Sequence, residues 1–299
     1  MAGALKITTK AHLAVLCTNL FFAANYSFVK LISPAFILPF ALNEVRVGVC
    51  SLLLWGLWLL GKTAAKIERR DIGRFVLCSL TGIAINQMLF IKGLTMTSSV
   101  HASLLMLTTP LLITVFAFLV LKESVTPGKI AGLVLGIGGA LVLILSKEVA
   151  GGKESLTGDV LIVINAICYS LYFILVQPLM QRYSPLHVIR WVFTMGFFMI
   201  LPFAYSELKN FDPGGWGAAQ WWYLSAVVFT GTFLAYYFNA FGLQHLGAGV
   251  TGSYIYTQPV FAFIVAAFLL GEGLSLTKVL AGIMIFSGVY LVSIRKRNE

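Results

Sequence analysis

Apolar residues run along this chain in blocks of about twenty, each bounded by Pro, Gly or charge. Ten blocks stand out, at 12–31, 39–61, 73–93, 98–121, 128–146, 158–178, 186–205, 219–242, 248–270 and 276–294. A helix rising roughly 1.5 Å per residue needs about 20 such residues to cross the hydrocarbon of a bilayer. The pattern therefore predicts an all-α integral membrane protein with ten transmembrane helices. The connections are short, and the longest, near 61–72, 147–157 and 206–218, hold most of the loop Gly, Asp, Glu and Lys. No linker separates independent domains. Thr126 before Pro127, Thr157 before Asp159, and Ser275 each offer an N-cap oxygen at a helix start. The first block, Leu13 to Ile32, lacks a small-residue cleavage site and reads as a helix rather than a removable leader.

Composition strengthens this picture. Hydrophobic residues make up 59% of the chain and charged residues 11%, against about 45–50% and about 25% in soluble domains. An ordinary water-soluble fold is excluded. The formal net charge of +10 does not point to nucleic acid, because Lys and Arg flank the apolar blocks, where they set topology. Thirteen fall on one side of the predicted bundle, among them Lys6, Lys10, Arg69, Arg70, Arg182 and Arg295; six fall on the other, and Arg46 and Arg190 lie within spans. Basic loops resist translocation, so both termini are expected in the cytoplasm, with the chain in a plasma or bacterial inner membrane. Cys17, Cys50, Cys78 and Cys168 sit inside apolar blocks without CxxC spacing, so no disulfide or metal site is expected, and no cofactor either.

The chain also repeats itself. The run from Ser99 through Ser103 and Pro110 to Leu121 and Glu123 parallels the run from Gly249 through Ser253 and Pro259 to Leu270 and Glu272. Gly132 and Gly138 answer Gly282 and Gly288, Arg46 answers Arg190, and Asn19 with Tyr26 answers Asn165 with Tyr172. Two halves of five spans emerge, 1–147 and 148–299. Five is odd, so halves sharing one fold must enter the membrane with opposite orientation. Such inverted repeats place a solute site near the midplane, at the interface of the halves.

The pattern Pro259-Val-Phe-Ala, then Leu270-Gly271-Glu272-Gly-Leu-Ser275, then Gly282 and Gly288, with its echo from Pro110 to Gly138, resembles the EamA-type drug/metabolite transporter superfamily across essentially the whole chain. The resemblance implies ten helices, cytoplasmic termini, and export or exchange of metabolites such as amino acids.

A polar side chain in hydrocarbon is costly without a partner or a wet cavity, so polar residues within spans are candidate solute ligands. Asn19, Tyr26 and Lys30 lie within about 20° of one direction on the first helix. Asn165, Tyr169 and Tyr172 echo them in the sixth span; Asn86 and Gln87 come from the third, and Tyr236 and Asn239 from the eighth. Thr108, Tyr256 and Gln258 accompany Pro110 and Pro259, which lie near the middle of the fourth and ninth spans and free a carbonyl about one turn earlier. Interhelical hydrogen bonding is the competing role for the amides and phenols, and a packing kink or hinge for the prolines. Arg46 and Arg190 are candidate anion ligands or access switches, with snorkelling or gating contacts as the alternative. Inversion places Arg46 toward the outside and Arg190 toward the inside.

Acids are scarce within the spans. Glu44 is the single carboxylate read as internal, with neutralisation of Arg46 as one role for it, and His101 is a weaker titratable candidate. Facilitated diffusion or exchange is therefore expected rather than proton coupling. Glu123 and Glu272 are expected beside the N-termini of the helices that follow them. Gly132, Gly136, Gly138 and Gly139 allow close packing of the fifth helix, against the tenth or across a dimer seam. Trp216, Trp221, Trp222 and Tyr223 read as an interfacial belt.

These readings combine into a secondary transporter of a small organic metabolite, monomeric or homodimeric, working by alternating access through a cavity lined by the first, third, fourth, sixth, eighth and ninth spans. A membrane enzyme would need clustered acids, a metal-binding His pair or an activated nucleophile, and His12, His101, His187 and His245 are scattered. A channel or a receptor is the remaining alternative; no filter-like motif stands out.

Overall fold

Backbone N–H and C=O groups have no water to bond in lipid, so long apolar segments close their bonds internally as helices. A computed structural model of the chain describes residues 2–61, 66–121, 127–145 and 155–293. Among them the regular structure is helical, with no strand. Helix α1 is Ala2–Ile32 and α2 is Pro39–Gly61. A short turn at Arg69–Asp71 leads into α3, Ile72–Ser79, which continues through a π-helical segment, Leu80–Ala84, into α4, Ile85–Leu94. Then follow α5 (Ser99–Met106), α6 (Thr108–Leu121), α7 (Pro127–Leu145), α8 (Leu156–Arg182) and α9 (Pro185–Lys209). Helix α10, Ala218–Val228, passes through a second π-helical segment, Phe229–Leu234, into α11, Ala235–Ser253; a 3-10 turn at Tyr254–Thr257 joins it to α12, Gln258–Leu270, and α13 is Leu276–Ser293.

Among the described residues, seven helical stretches are long and apolar enough to cross a membrane, and shorter apolar helices occupy Ile130–Val142 and Leu276–Gly288. One of the seven, Ala218–Leu270, has 53 residues. Straight, it would measure roughly 80 Å, far more than a bilayer's hydrocarbon. It breaks at Gly247, whose φ of 77° and ψ of 171° leave the helix, a backbone position open to a residue without Cβ.

The most extensive contacts pair helices across the two sequence halves: α7 with α13, α2 with α9, α1 with α11 and α12, and α4 with α8. Glycines permit the tightest of these. A Cβ on Gly288 would lie 2.5 Å from Gly132 O and from Gly136 N, and one on Gly139 would lie 3.0 Å from Ala281 O. The fifth-span glycines therefore pack against the tenth-span helix of the same chain. Apolar side chains such as Leu60, Val134 and Phe268 face outward, as a lipid-facing surface requires. Trp221 and Trp222 are exposed at the start of α10, with Trp216 edge-on to Trp221.

Helix starts depart from expectation in several places. Ser155, not Thr157, caps α8, its hydroxyl accepting from Gly158 N at 3.0 Å, because the helix begins one residue after Ser155. Ser275 does accept from Lys278 N. Thr126 and Glu123 lie outside the described residues. Glu272 sits not at the next helix but at the start of α5, accepting from Ser99 N at 3.0 Å and Val100 N at 3.1 Å. The prolines differ too. Pro110 and Pro259 lie in the first turns of α6 and α12, after breaks at Leu107 and at Tyr254–Thr257. There a missing N–H costs little, so these prolines follow helix breaks instead of kinking continuous helices.

Candidate functional site

The π-helical segments shape the centre of the bundle. Each begins where a threonine bonds back one turn, Thr81 Oγ1 to Leu77 O at 2.8 Å and Thr230 Oγ1 to Ala226 O at 2.7 Å, and each then presents a glycine to the other half. A Cβ on Gly82 would meet Tyr172 Cδ2 at 2.5 Å, and one on Gly231 would meet Asn25 Oδ1 at 2.2 Å. Single-turn π-bulges recur at functional sites. Here they bring polar side chains from both halves around one cavity.

Phe22, Asn25 and Tyr26 of α1 line it, with Arg46 of α2, Asn86, Gln87 and Phe90 of α4, and Met106 of α5. Asn165 and Tyr169 of α8, Tyr236 of α11 and Gln258 of α12 complete the wall. Its volume is about 40 Å³, room for roughly three water molecules. This arrangement is contracted around the site. Arg46 is buried and donates from Nε to Thr232 Oγ1 at 2.9 Å; Thr232 belongs to the second π segment and itself bonds Val227 O. Arg46 Nη1 and the side-chain oxygens of Asn25, Gln87 and Asn165 have no hydrogen-bond partner among the described residues. The cavity wall thus contains one guanidinium and three amides with unused hydrogen-bonding capacity, residue types that suit a group bearing both a negative and a positive end.

Other bonds fix the walls. Asn86 Nδ2 donates to Asn165 O at 3.2 Å, and Asn165 Nδ2 returns a bond to Asn86 O at 2.7 Å, clamping α4 to α8. Gln87 donates to the Tyr236 hydroxyl. Tyr26 donates to Gln258 Oε1 at 3.2 Å, and Gln258 Nε2 donates to Asn19 Oδ1 at 2.7 Å, joining α1 to α12.

Several predicted residues stand behind or away from this cavity. Asn19 supports Gln258, Asn239 donates to the Tyr169 hydroxyl at 3.1 Å, and Tyr172 stacks on Tyr169 with centroids 6.1 Å apart. Thr108 bonds back to Leu105 O. Tyr256 and Pro259 line a separate lateral groove of about 390 Å³, with Phe286 and Lys278. Lys30 lies at one end of the bundle, donating to Thr97 O. Arg190 lies between α2 and α9, 4.8 Å from the Trp55 ring centroid and 3.1 Å from His187 Nδ1, so the two arginines are not brought together.

Glu44 does not neutralise Arg46. Two residues apart on a helix they point about 200° apart, and both Glu44 oxygens lack a hydrogen-bond partner among the described residues. Nor is Glu44 the single internal acid, since Asp159 is buried and lies 3.1 Å from His101 Nε2. Sequence reasoning missed Phe22 and Asn25 as well; their spacing with Tyr26 is the i, i+3, i+4 signature of one helix face.

Membrane-length helices around a buried polar cavity define the class, a multi-pass integral membrane transporter. The chain belongs to the EamA-like transporter family, whose sequence profile matches it twice, over residues 9–145 and 156–294. Bacterial and archaeal relatives carry the names of transporters, not enzymes. It is 25% identical to the uncharacterized transporter YetK of Bacillus subtilis, across 82% of this chain and 75% of that one. An uncharacterized transporter of Archaeoglobus fulgidus is also 25% identical, across 98% and 100%. A probable terminal-alkyne amino-acid exporter of Streptantibioticus cattleyicolor is 26% identical, across 85% and 89%. A solved crystal structure shares the fold with a TM-score of 0.60 at 17% identity, covering 97% of this chain and 96% of its own.

Proposed function

We propose that this chain is a secondary transporter of a small amphipathic organic metabolite, an amino acid or similar solute, working by alternating access between inverted five-helix repeats at 1–147 and 148–299. The observation that carries the proposal is the cavity walled by both halves, whose lining includes Arg46 and three amides, Asn25, Gln87 and Asn165, each with a polar atom that has no hydrogen-bond partner among the described residues. Arg46 would take a carboxylate bidentately, the amide oxygens would accept from an ammonium, and Phe22, Phe90, Tyr169 and Met106 would enclose an apolar side chain. Tyr26, Asn86, Tyr236 and Gln258 complete the ligand set, with Asn19, Tyr172 and Asn239 holding them in place. Ten crossings result when Ala218–Leu270 is divided at Gly247 and the shorter apolar helices are counted. The basic residues put both termini in the cytoplasm. The name of the Streptantibioticus relative favours export.

The contracted cavity supports alternation, because a solute larger than a few waters enters only when the halves move apart. The test is counterflow of each of the twenty radiolabelled amino acids in proteoliposomes. At least one should accumulate with the wild-type protein, and Arg46→Gln should lower that flux about tenfold or more, equivalent to roughly 1.4 kcal/mol of lost solute stabilisation. Absence of counterflow for every amino acid, or wild-type flux in Arg46→Gln, would overturn the reading.

A further inference from the structure

A second polar cluster closes the end of the bundle where α1 finishes and α8 begins. His101 on α5 places Nε2 3.1 Å from Asp159 Oδ1 on α8, and both residues are buried. The same oxygen accepts from Thr97 Oγ1 at 3.2 Å, and Lys30 at the end of α1 donates to Thr97 O. One carboxylate oxygen thus ties together α8, α5 and the turn before it, and through that turn α1. Ser155 N adds a bond to Met96 O at 3.0 Å. Helices α5 and α8 both start at this end of the bundle. Imidazole is the side chain whose ordinary titration falls between pH 5 and 8.

We propose that His101 and Asp159 are a proton-binding latch: with a proton on the imidazole the pair holds this end of the bundle shut, and its release lets α5 and α8 separate. The ligand is a single proton. A proton on the imidazole places a positive charge 3.1 Å from the buried carboxylate, so that neither charge is left uncompensated. Other charged groups around the pair are Lys30 on α1, Glu272 accepting from Ser99 N and Val100 N, and Lys278 of α13 beside Ser98. Lys92 in the last turn of α4 is exposed, and the described side chains of α6 and α7 add no titratable group. The inference rests on helix packing rather than on any particular solute, so it can fail while the transport reading stands, and the reverse.

The test needs no solute. Ser99 is buried at this end and its hydroxyl has no partner among the described residues, so Ser99→Cys is a mild reporter. It is introduced where Cys17, Cys50, Cys78 and Cys168 have been replaced by alanine, and its maleimide labelling in nanodiscs is divided by that of the exposed Lys92→Cys at each pH. This division removes the pH dependence of thiol reactivity. The ratio should rise about fivefold from pH 6 to pH 8, within the tenfold limit set by a tenfold difference in proton affinity between shut and open arrangements. Asp159→Asn and His101→Gln should each make it flat. A flat ratio in the parent, or a slope kept by either variant, would overturn the proposal. So would a histidine-labelled NMR spectrum of the wild-type protein in which His101 does not titrate between pH 5 and pH 9, a readout independent of how the variants fold.

Discussion

Replacing Gly82 by alanine adds one methyl group at the first π segment. That Cβ would lie 2.5, 2.8 and 2.9 Å from Tyr172 Cδ2, Cγ and Cε2, and ordinary contact begins at 3.4 Å, so the ring must retreat by about 0.9 Å. Tyr172 is buried, edge-on to Phe173 and stacked on Tyr169. The displacement therefore passes to Tyr169, which lines the cavity and accepts from Asn239. Overpacking of this kind costs about 1–3 kcal/mol. If that cost falls on the solute-loaded state, flux drops by about 5- to 150-fold; if it falls equally on every state, only thermal stability drops. Counterflow and thermal unfolding measured side by side distinguish the two. Gly56→Ala, with nothing within 4 Å of its Cβ, should change neither quantity. In Gly82→Ala combined with Tyr172→Ala the clash disappears, so the double variant should carry more flux than the product of the single effects. Wild-type flux and stability in Gly82→Ala, or strictly multiplicative effects in the pair, would refute the wedge.

The remaining predictions concern packing and the limits of the site. Gly288→Ala drives a methyl against the backbone of Gly132 and Gly136, whereas a Cβ on Gly138 meets only Met284 Cε at 3.7 Å; thermal unfolding in detergent should show the first losing several degrees and the second losing none, and equal losses would contradict the α7–α13 seam. Tyr256→Ala opens the lateral groove and leaves the cavity wall intact, so its counterflow should stay within about twofold of wild type by the usual independence of separated sites. A loss as large as that of Arg46→Gln would move the solute path into the groove.

The helices were legible because apolar blocks of membrane length have few alternatives in lipid. Their interior breaks were less so. Leu107 and Tyr254–Thr257 interrupt spans that read as continuous, since residues just before a proline still look apolar and the break relocates the proline to a first turn. The π segments leave one trace in the sequence: Thr81-Gly82 and Thr230-Gly231 stand at matching places in the two halves. A back-bonding threonine followed by glycine is too common to mark a bulge without knowing that another helix approaches it. Cavity residues were legible where one helix face sufficed, as with Asn86, Gln87, Asn165 and Tyr169. They were misplaced where depth mattered. Asn19, Tyr26 and Lys30 share a direction, yet eleven residues of helix span roughly 16 Å, so the three serve a supporting bond, the cavity and the bundle end respectively.

The acids show why position along a span cannot assign a partner. Glu207 closes α9 and would be given to the loop beside it, yet it accepts from Phe40 N at 2.7 Å and Ala41 N at 2.9 Å at the start of α2. Glu272 does the same for the start of α5. Each carboxylate lies in the second half and satisfies exposed donors in the first. A helix start in or near lipid has free N–H groups that must find an acceptor, and the nearest in space is supplied by the partner half because the halves interlock at every major interface. Asp159 obeys the same geometry: it belongs to the first turn of α8, where an acid ordinarily complements its own helix dipole, but the neighbouring start of α5 brings His101 within 3.1 Å. An acid at a helix start thereby becomes half of a buried contact between the two halves, and only the crossing of the two helices distinguishes those roles.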